Sequence, residues 1–297
     1  MTYLTVLGHS NIDVQIRVSA LPGPGESRPV SDRRTVYGGT ANNIARHAAS
    51  LGVPTRLWSR VGDDFPVDWR KALEADGLDL SWFESSGART PTCFVFTDDA
   101  GEQAYCMDQG AMAAPYEVPV QVVEGATWLH VSTGDPHSYL PLVEAAREAG
   151  VRIGFDPGQE IHFAYDTASF EALLDRADVF FCNDVELRKA LGFLRYGSAE
   201  QLLDHVDAVV VTHGAEGATL HRAKHKPVTV PAVEADVVDP TGAGDALRAG
   251  FYAGLHAGLD MEAALRCGVE AAAVAVRAEG PQSRLASPSD VPTLRTS

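Results

Sequence analysis

The feature that most constrains the fold is a regular alternation of short β-rich runs with longer stretches of helical period. The β-rich runs lie at residues 3–8, 55–60, 127–131, 151–155, 178–182 and 208–212. Helical periodicity covers residues 40–51, 139–149, 184–191, 244–257 and 261–278. Because a strand followed by a helix returns to a parallel neighbour through a right-handed crossover, this alternation predicts a largely parallel sheet covered by helices.

Two segments break this alternation, and each reads as a pair of strands around a turn. The turn signals are Leu-Pro-Gly-Pro-Gly at residues 21–25 and Asp-Asp-Ala-Gly at residues 98–101. We expect the two strand pairs to form one small sheet that acts as a lid, and two independent surface hairpins are the alternative. The predicted lid is residues 14–36 and 90–107, and the predicted main domain is residues 1–13, 37–89 and 108–297.

The composition is that of a cytoplasmic globular protein. The 297 residues carry a formal net charge of −16, whereas a surface that follows a nucleic-acid backbone needs clustered Lys and Arg. No apolar run reaches the roughly 20 residues of a membrane helix. The amino terminus lacks the basic start and apolar core of a secretory signal. We therefore expect a cytoplasmic protein with neither a nucleic-acid nor a membrane partner.

A glycine-rich turn near the carboxyl end carries the strongest functional signal. Here an apolar run turns into a helix through Asp-Pro-Thr-Gly-Ala-Gly-Asp, residues 239–245. The amino end of a helix has unpaired amides and a partial positive charge, so it binds anions. Gly242 and Gly244 remove side chains that would keep a phosphate from those amides. Asp245 adds a base beside the same anion, as phosphoryl transfer to an alcohol requires, and simple helix capping is the alternative.

The complete string resembles the carboxyl-terminal signature of the ribokinase-like family of carbohydrate kinases. This resemblance implies a three-layer α/β/α sandwich with a mainly parallel central sheet and a small β-sheet lid. It also implies that Asp245 is the catalytic base and that Gly242, Ala243 and Gly244 form an anion hole for the transferring phosphate. Thr241 is implied as a contact of ATP.

Two further strings near the amino terminus resemble the acceptor-binding elements of the same family. Gly-His-Ser-Asn-Ile-Asp ends at Asp13, and Gly-Gly-Thr-Ala-Asn-Asn begins at Gly38 and ends at Asn43. The resemblance implies that Asp13 accepts hydrogen bonds from ribose hydroxyls and that Gly38, Gly39 and Asn43 hold the sugar. A turn aspartate and a plain helix cap are the alternatives for Asp13 and Asn43.

In the middle of the chain, Asn183 and Glu186 resemble the family's Asn-x-x-Glu element. The resemblance implies that they position magnesium and phosphate, commonly through water, and such oxygen ligands suit a hard cation that keeps several waters. The same spacing also predicts a helix capping box, and both roles are compatible.

The remaining nucleotide-binding candidates also follow from the resemblance. Thr212, Gly214 and Gly217 match the segment that flanks the ATP phosphates, usually Thr-x-Gly-x-x-Gly. Residues 280–283, Gly-Pro-Gln-Ser, match the loop that shapes the adenine pocket and, in many members, a monovalent-cation site. ATP and magnesium are therefore the expected cofactors, and a requirement for potassium is left open.

Three local features look closer to prokaryotic adenosine and nucleoside kinases than to ribokinase or fructokinase. They are Gln-Gly-Ala-Met at 109–112, Phe-Asp-Pro-Gly-Gln at 155–159, and the arginine at 248 in the string 245–251. Arg248 follows Asp245 by three residues and shares its helix face, where it could bind a phosphate or the acceptor, and a surface ion pair is the alternative.

Together these features predict an ATP- and magnesium-dependent kinase that phosphorylates the 5′-hydroxyl of a nucleoside. Adenosine or another purine nucleoside is favoured, and cytidine is allowed. The alternatives are a sugar kinase of the same family and a non-catalytic nucleoside-binding protein. The expected partners are the small-molecule acceptor and ATP, and a homodimer formed through the lid is left open.

Overall fold

The computed structural model describes residues 2–295 and contains fourteen strands and seven α-helices within that range. The strands are β1 Leu4–Leu7, β2 Asn11–Val18, β3 Val30–Gly38, β4 Thr55–Trp58, β5 Arg60–Gly62, β6 Glu84–Ser86, β7 Thr92–Thr97, β8 Gln103–Asp108, β9 Trp128–Val131, β10 Arg152–Phe155, β11 Val179–Asn183, β12 Ala208–Thr212, β13 Ala218–Arg222 and β14 Val228–Val230. The helices are α1 Thr40–Ser50, α2 Val67–Ala75, α3 Pro136–Glu148, α4 Thr167–Leu174, α5 Asp184–Leu194, α6 Ala243–His256 and α7 Met261–Ala275.

The central sheet has eight strands in the order β14-β13-β12-β11-β10-β9-β1-β4. The six strands from β12 to β4 pair in parallel. The two pairings at one edge, β12–β13 and β13–β14, are antiparallel. A mainly parallel sheet is what the alternation of strands and helices predicts, and this expectation is confirmed.

Helices cover both faces of this sheet because its strands are apolar on both sides. On β12, Ala208 and Val210 belong to a core shared with α1, α6 and α7. Val209 and Val211 belong to a second core shared with α3, α4 and α5. Successive side chains of a strand point to opposite faces, so one strand contributes to both cores. The resulting three-layer α/β/α sandwich confirms the predicted fold class.

Strands from the two irregular segments join in one four-stranded sheet, in the order β3-β2-β7-β8. Its two central strands, β2 and β7, run parallel although about 80 residues separate them, while the outer pairs are antiparallel. Strand β2 begins at Asn11, so Asp13 lies in this sheet and not in the predicted main domain. The action of the sheet as a lid stays a prediction.

The carboxyl ends of the parallel strands meet at one edge of the central sheet. In such sheets ligands bind at this edge, in the loops that follow the strands. Asp156 follows β10, Asn183 ends β11 and Thr212 ends β12. Among residues 2–295, no helix combines the length and apolar character that a membrane crossing requires.

Candidate active site

The glycine-rich turn enters α6 as the sequence predicts. Gly242 precedes the helix with φ 80°, a left-handed conformation that glycine adopts without strain, and no side chain caps the first turn. A Cβ at Gly242 would lie 2.6 Å from Cβ of Pro281. Asp239 joins this turn to the loop at residues 280–283, because its carboxylate accepts from the amides of Thr241 and Gly280, each at 2.9 Å. Within this turn the amide of Ala243 donates to the carbonyl oxygen of Pro240 at 3.2 Å, while the amides of Gly244 and Asp245 remain available for an anion.

Asp245 lies in the first turn of α6 and faces α1. Its Oδ2 accepts a hydrogen bond from Nδ2 of Asn43 at 2.7 Å, between residues 202 positions apart in the chain. Burial raises the pKa of Asp245 to about 7, against the opposing effects of the Asn43 hydrogen bond and the positive charge of Arg248. A carboxyl group with this pKa is matched to proton transfer near neutral pH.

Arg248 lies one turn further along α6 and is 5% exposed. Its Nε donates to Oδ2 of Asp156 at 2.8 Å, and its Nη1 donates to the carbonyl oxygen of Gly244 at 3.3 Å. The ion pair is therefore buried beneath the glycine-rich turn, which excludes the surface ion pair considered above. Arg248 fastens the start of α6 to the end of β10.

The predicted acceptor-binding residues lie at the start of α1 and on the strand beside it, and Asn43 links them to Asp245. A Cβ at Gly38 would lie 2.5 Å from Oδ2 of Asp13, so this glycine lets the carboxylate approach the backbone. Gly39 precedes α1 with φ 96°, and its carbonyl oxygen accepts from the amide of Asn43 at 2.8 Å. Asp13 also accepts a hydrogen bond from the side chain of Asn11. Burial raises the pKa of Asp13 to about 7, and the Asn11 hydrogen bond opposes that rise.

Asn183 and Glu186 form a reciprocal capping box at the start of α5. Oδ1 of Asn183 accepts from the amides of Val185 and Glu186, at 2.8 and 2.9 Å, and Oε2 of Glu186 accepts from the amide of Asn183 at 2.8 Å. The capping box that the same spacing predicts as an alternative role is therefore present. Burial raises the pKa of Glu186, the charge of Asp156 adds to that rise, and Arg248 opposes it.

A magnesium ion fits this donor set with Glu186 as its carboxylate partner, while Asn183 could reach the ion only through water. Both acceptor positions of the Asn183 amide oxygen are already occupied, while Glu186 keeps one free carboxylate oxygen. Within residues 2–295, no group of three or more His, Cys, Asp or Glu side chains could hold a metal directly. Magnesium proteins commonly use one or two carboxylates together with waters and substrate phosphates, which is what Glu186 offers here.

The candidate ATP residues after β12 adjoin the candidate magnesium element. Thr212 is the register partner of Asn183 in the parallel pair β11–β12. Gly214 and Gly217 bracket a single 3₁₀ turn, and a Cβ at Gly217 would collide with the carbonyl of Val230. Packing alone therefore requires glycine at position 217. The contacts of Gly217 and of the exposed Thr241 with ATP stay predictions.

Two residues of the site were not singled out by the sequence analysis. Gln282 donates from Nε2 to Oδ1 of Asn43 at 2.6 Å and accepts from Nη1 of Arg46 at 2.8 Å. The available signals were the glutamine inside the loop at 280–283 and the position of Arg46 one turn after Asn43 on α1. Neither signal could be used without knowing that the loop lies on α1.

Comparisons with known proteins identify the family and the fold. The model of the pfkB family of carbohydrate kinases matches residues 1–288. A nucleoside kinase of Methanothermobacter thermautotrophicus is 34% identical over 294 residues, 95% of this chain and 92% of that protein. An ATP-dependent ribose-1-phosphate kinase of Halopiger xanaduensis is 33% identical over 280 residues, 93% and 92% of the two chains. The crystal structure of Methanocaldococcus jannaschii nucleoside kinase, 30% identical, superimposes with a TM-score of 0.88 over 100% of this chain and 99% of that one.

The fold and these matches together define a phosphotransferase with an alcohol acceptor. The chain belongs to the pfkB family of carbohydrate kinases.

Proposed function

We propose that this protein transfers the γ-phosphate of ATP to the 5′-hydroxyl of a nucleoside. The observation that carries the proposal is the hydrogen bond between Asn43 and Asp245. It joins the element proposed to hold the sugar to the carboxylate proposed to activate the hydroxyl. The name of one relative, a nucleoside kinase, supports this acceptor, and the name of another, an ATP-dependent ribose-1-phosphate kinase, supports ATP as the donor.

In the proposed reaction, Asp13 and Asn43 hold the ribose so that its 5′-oxygen points at Asp245. The 5′-oxygen attacks the γ-phosphorus as the bond to the β-phosphate oxygen breaks, and the proton passes from the hydroxyl to Asp245. The amides of Gly242 and Gly244 receive the equatorial oxygens of the transferring group, and the amide of Ala243 joins them by leaving the carbonyl oxygen of Pro240. The transition state of such transfers is loose, so positioning and charge stabilisation contribute more than the strength of the base.

Magnesium, held through water by Glu186, would supply neutralisation of the phosphate charge when bound. The buried Arg248 adds a fixed positive charge beneath the same turn. Closure of the four-stranded sheet over the acceptor would exclude water, which otherwise competes for the phosphate. A potassium ion and a homodimer formed through this sheet stay predictions.

Among nucleosides we favour adenosine or another purine nucleoside, with cytidine as the alternative. A second acceptor class has specific support, because the relative from Halopiger xanaduensis is a ribose-1-phosphate kinase. Both classes would present a ribose 5′-hydroxyl to Asp245 and would differ only in the group on C1. The catalytic proposal is therefore common to both.

A substrate panel tests the acceptor. Adenosine, guanosine, inosine, cytidine, uridine, ribose, fructose and ribose-1-phosphate are each assayed with ATP and magnesium for formation of ADP. Preference for a nucleoside supports the proposal, and turnover of ribose-1-phosphate or a free sugar alone would overturn the nucleoside assignment. Thermal stabilisation by a nucleoside without any consumption of ATP would support a binding protein instead.

The variant Asp245→Asn tests the base. It keeps the shape of the side chain and removes its basicity, so we expect kcat to fall by about 10²–10⁴ while nucleoside binding persists. Asp68→Asn is the matched control, because the Asp68 side chain is 99% exposed. Near-normal turnover by Asp245→Asn would remove the catalytic assignment.

A further inference from the structure

A continuous line of hydrogen bonds runs from α2 to the proposed base. Arg46 donates from Nε to Oδ2 of Asp76 at 2.6 Å and from Nη1 to Oε1 of Gln282 at 2.8 Å. Gln282 donates from Nε2 to Oδ1 of Asn43 at 2.6 Å, and Asn43 donates from Nδ2 to Oδ2 of Asp245 at 2.7 Å. We call these five residues the amide relay.

The direction of every bond in the amide relay follows from Arg46. A guanidinium group only donates, so the atom of Gln282 that faces it must be the carbonyl oxygen. The NH₂ group of Gln282 then faces Asn43, which must accept with Oδ1 and turn its own NH₂ group towards Asp245. The O and N of an amide are similar in shape and are assigned from their partners, and here the donor-only guanidinium decides both amides.

Packing on both sides of α1 keeps the relay in place. The Arg46 side chain is 12% exposed, and its guanidinium carbon lies 4.8 Å from the ring centroid of Trp69. Trp69 is stacked in turn on Tyr37, with centroids 4.5 Å apart. The next residue, His47, is kept neutral because burial lowers its pKa to about 4. Its Nε2 lies 3.0 Å from the carbonyl oxygen of Pro281 and must donate to it, so α1 holds the loop at two points.

We infer that Gln282 is a positioning residue for phosphoryl transfer, because it orients the amide of Asn43 so that Asp245 always faces an N–H donor. The importance of this residue for turnover rests on the proposed function, whereas the orientation of the amides does not. A donor on a carboxylate favours its ionised form, which is the form that can accept the proton of the hydroxyl.

The other charged groups around Asp245 make this donor necessary. Arg248 on its own helix favours the ionised form, while Asp156 after β10 and Glu186 on α5 oppose it. The positive charge of Arg248 is therefore already partly neutralised by Asp156 and Glu186. Asn43 supplies a directed donor that those carboxylates do not share.

The relay also determines what Asn43 can offer to a ribose. Its Oδ1 is used by Gln282 and one N–H by Asp245, and an amide nitrogen carries two N–H bonds. The second N–H can reach a hydroxyl only as a donor, so that ribose oxygen must accept. The proton of the same hydroxyl must then go to another acceptor, and under the proposed function that acceptor is the carboxylate of Asp13.

The experiment reverses the relay at Gln282. In Gln282→Glu, the introduced carboxylate can still accept from Arg46 but cannot donate to Asn43. The Asn43 amide therefore turns over and presents its oxygen to Asp245. Gln282→Leu removes the donor without adding a charge. Gln201→Glu is the control, because Gln201 accepts from the amide of Gly197 at 2.6 Å, a role that a carboxylate can also fill.

Two readouts follow the titration of Asp245. One is its carboxyl ¹³C resonance in protein labelled at aspartate and assigned with Asp245→Asn, and the other is the acid limb of kcat/KM. We expect Gln282→Glu to raise both midpoints by about one to two pH units, the effect of losing one hydrogen bond to an ionised group. Gln282→Leu should raise them by a smaller amount, and Gln201→Glu should leave them at the wild-type value.

Unchanged midpoints in both variants at Gln282 would overturn the inference. A rise in Gln282→Glu alone would also overturn it, because added charge and not bond direction would then be the cause. If Gln282→Glu does not fold, an unchanged midpoint in Gln282→Leu would by itself overturn the inference. The NMR midpoint requires no turnover, so an inactive wild-type protein would refute the proposed function while the midpoints still decide the orientation of the relay.

Discussion

Replacement of Arg248 by methionine should destabilise this protein far more than loss of an ordinary ion pair. The Arg248 and Asp156 side chains are only 6% and 3% exposed and lie 2.8 Å apart. Methionine fills similar space but leaves the carboxylate of Asp156 buried without its cation. Breaking a buried pair in this way costs about 3–5 kcal/mol, whereas an exposed pair contributes about 0–1 kcal/mol.

The expected change in melting temperature follows from the length of the chain. Unfolding entropy is about 2.1 cal/mol/K per residue, so for 297 residues it is about 0.6 kcal/mol/K. Arg248→Met should therefore lower Tm by about 5–8 °C. Calorimetry and urea unfolding at pH 7 would measure the loss. The matched control is Arg266→Met, since Arg266 pairs with Glu262 at 2.8 Å with both side chains substantially exposed.

A double-mutant cycle with Asp156→Asn identifies the cause. If the cost arises from an unpaired buried charge, the double variant should be more stable than the sum of the two single losses by about 1–3 kcal/mol. Additive losses, or an Arg248→Met variant no less stable than Arg266→Met, would refute the assignment of a buried ion pair beneath the anion-binding turn.

Three further outcomes follow from the geometry of the site. Because burial raises the pKa of Asp245 to about 7, kcat/KM should fall roughly tenfold per pH unit below pH 7 as the base is protonated, and a profile that stays flat down to pH 5 would contradict this. Gly38→Ala would place Cβ 2.5 Å from Oδ2 of Asp13, so KM for the acceptor should rise about tenfold with little change in kcat, while Gly192→Ala, which has open space around it, should behave as wild type. Gly242→Ala combines φ 80° with a contact at 2.6 Å to Pro281, so kcat should fall by more than about tenfold, and wild-type turnover would show that the turn tolerates displacement.

Features that depend on neighbours in the chain could be predicted from the sequence. The strands and helices follow from hydrophobic period, because period two and period 3.6 place apolar side chains on particular faces whatever the final topology. The capping box joins Asn183 and Glu186, three positions apart, and needs only the start of α5. The turn at Gly242 likewise requires only a local left-handed conformation.

Contacts between distant segments were decided by the tertiary structure. Asn43 meets Asp245 across 202 residues, Gln282 meets Asn43 across 239, and Arg248 meets Asp156 across 92. A family resemblance suggested roles for Asn43 and Asp245 separately, yet neither their hydrogen bond nor the part of Gln282 could be predicted.

The physical reason is that a side chain's identity specifies which bonds it can make, whereas strand order and helix packing specify which partners come within reach. Sequence alone determined the six parallel strands of the main sheet, five of the seven α-helices among residues 2–295, the left-handed turn at Gly242 and the chemistry of the candidate residues. Only the packing of α1 against the loop at 280–283 and the start of α6 decided that a donor-only guanidinium orients two amides and, through them, a carboxylate.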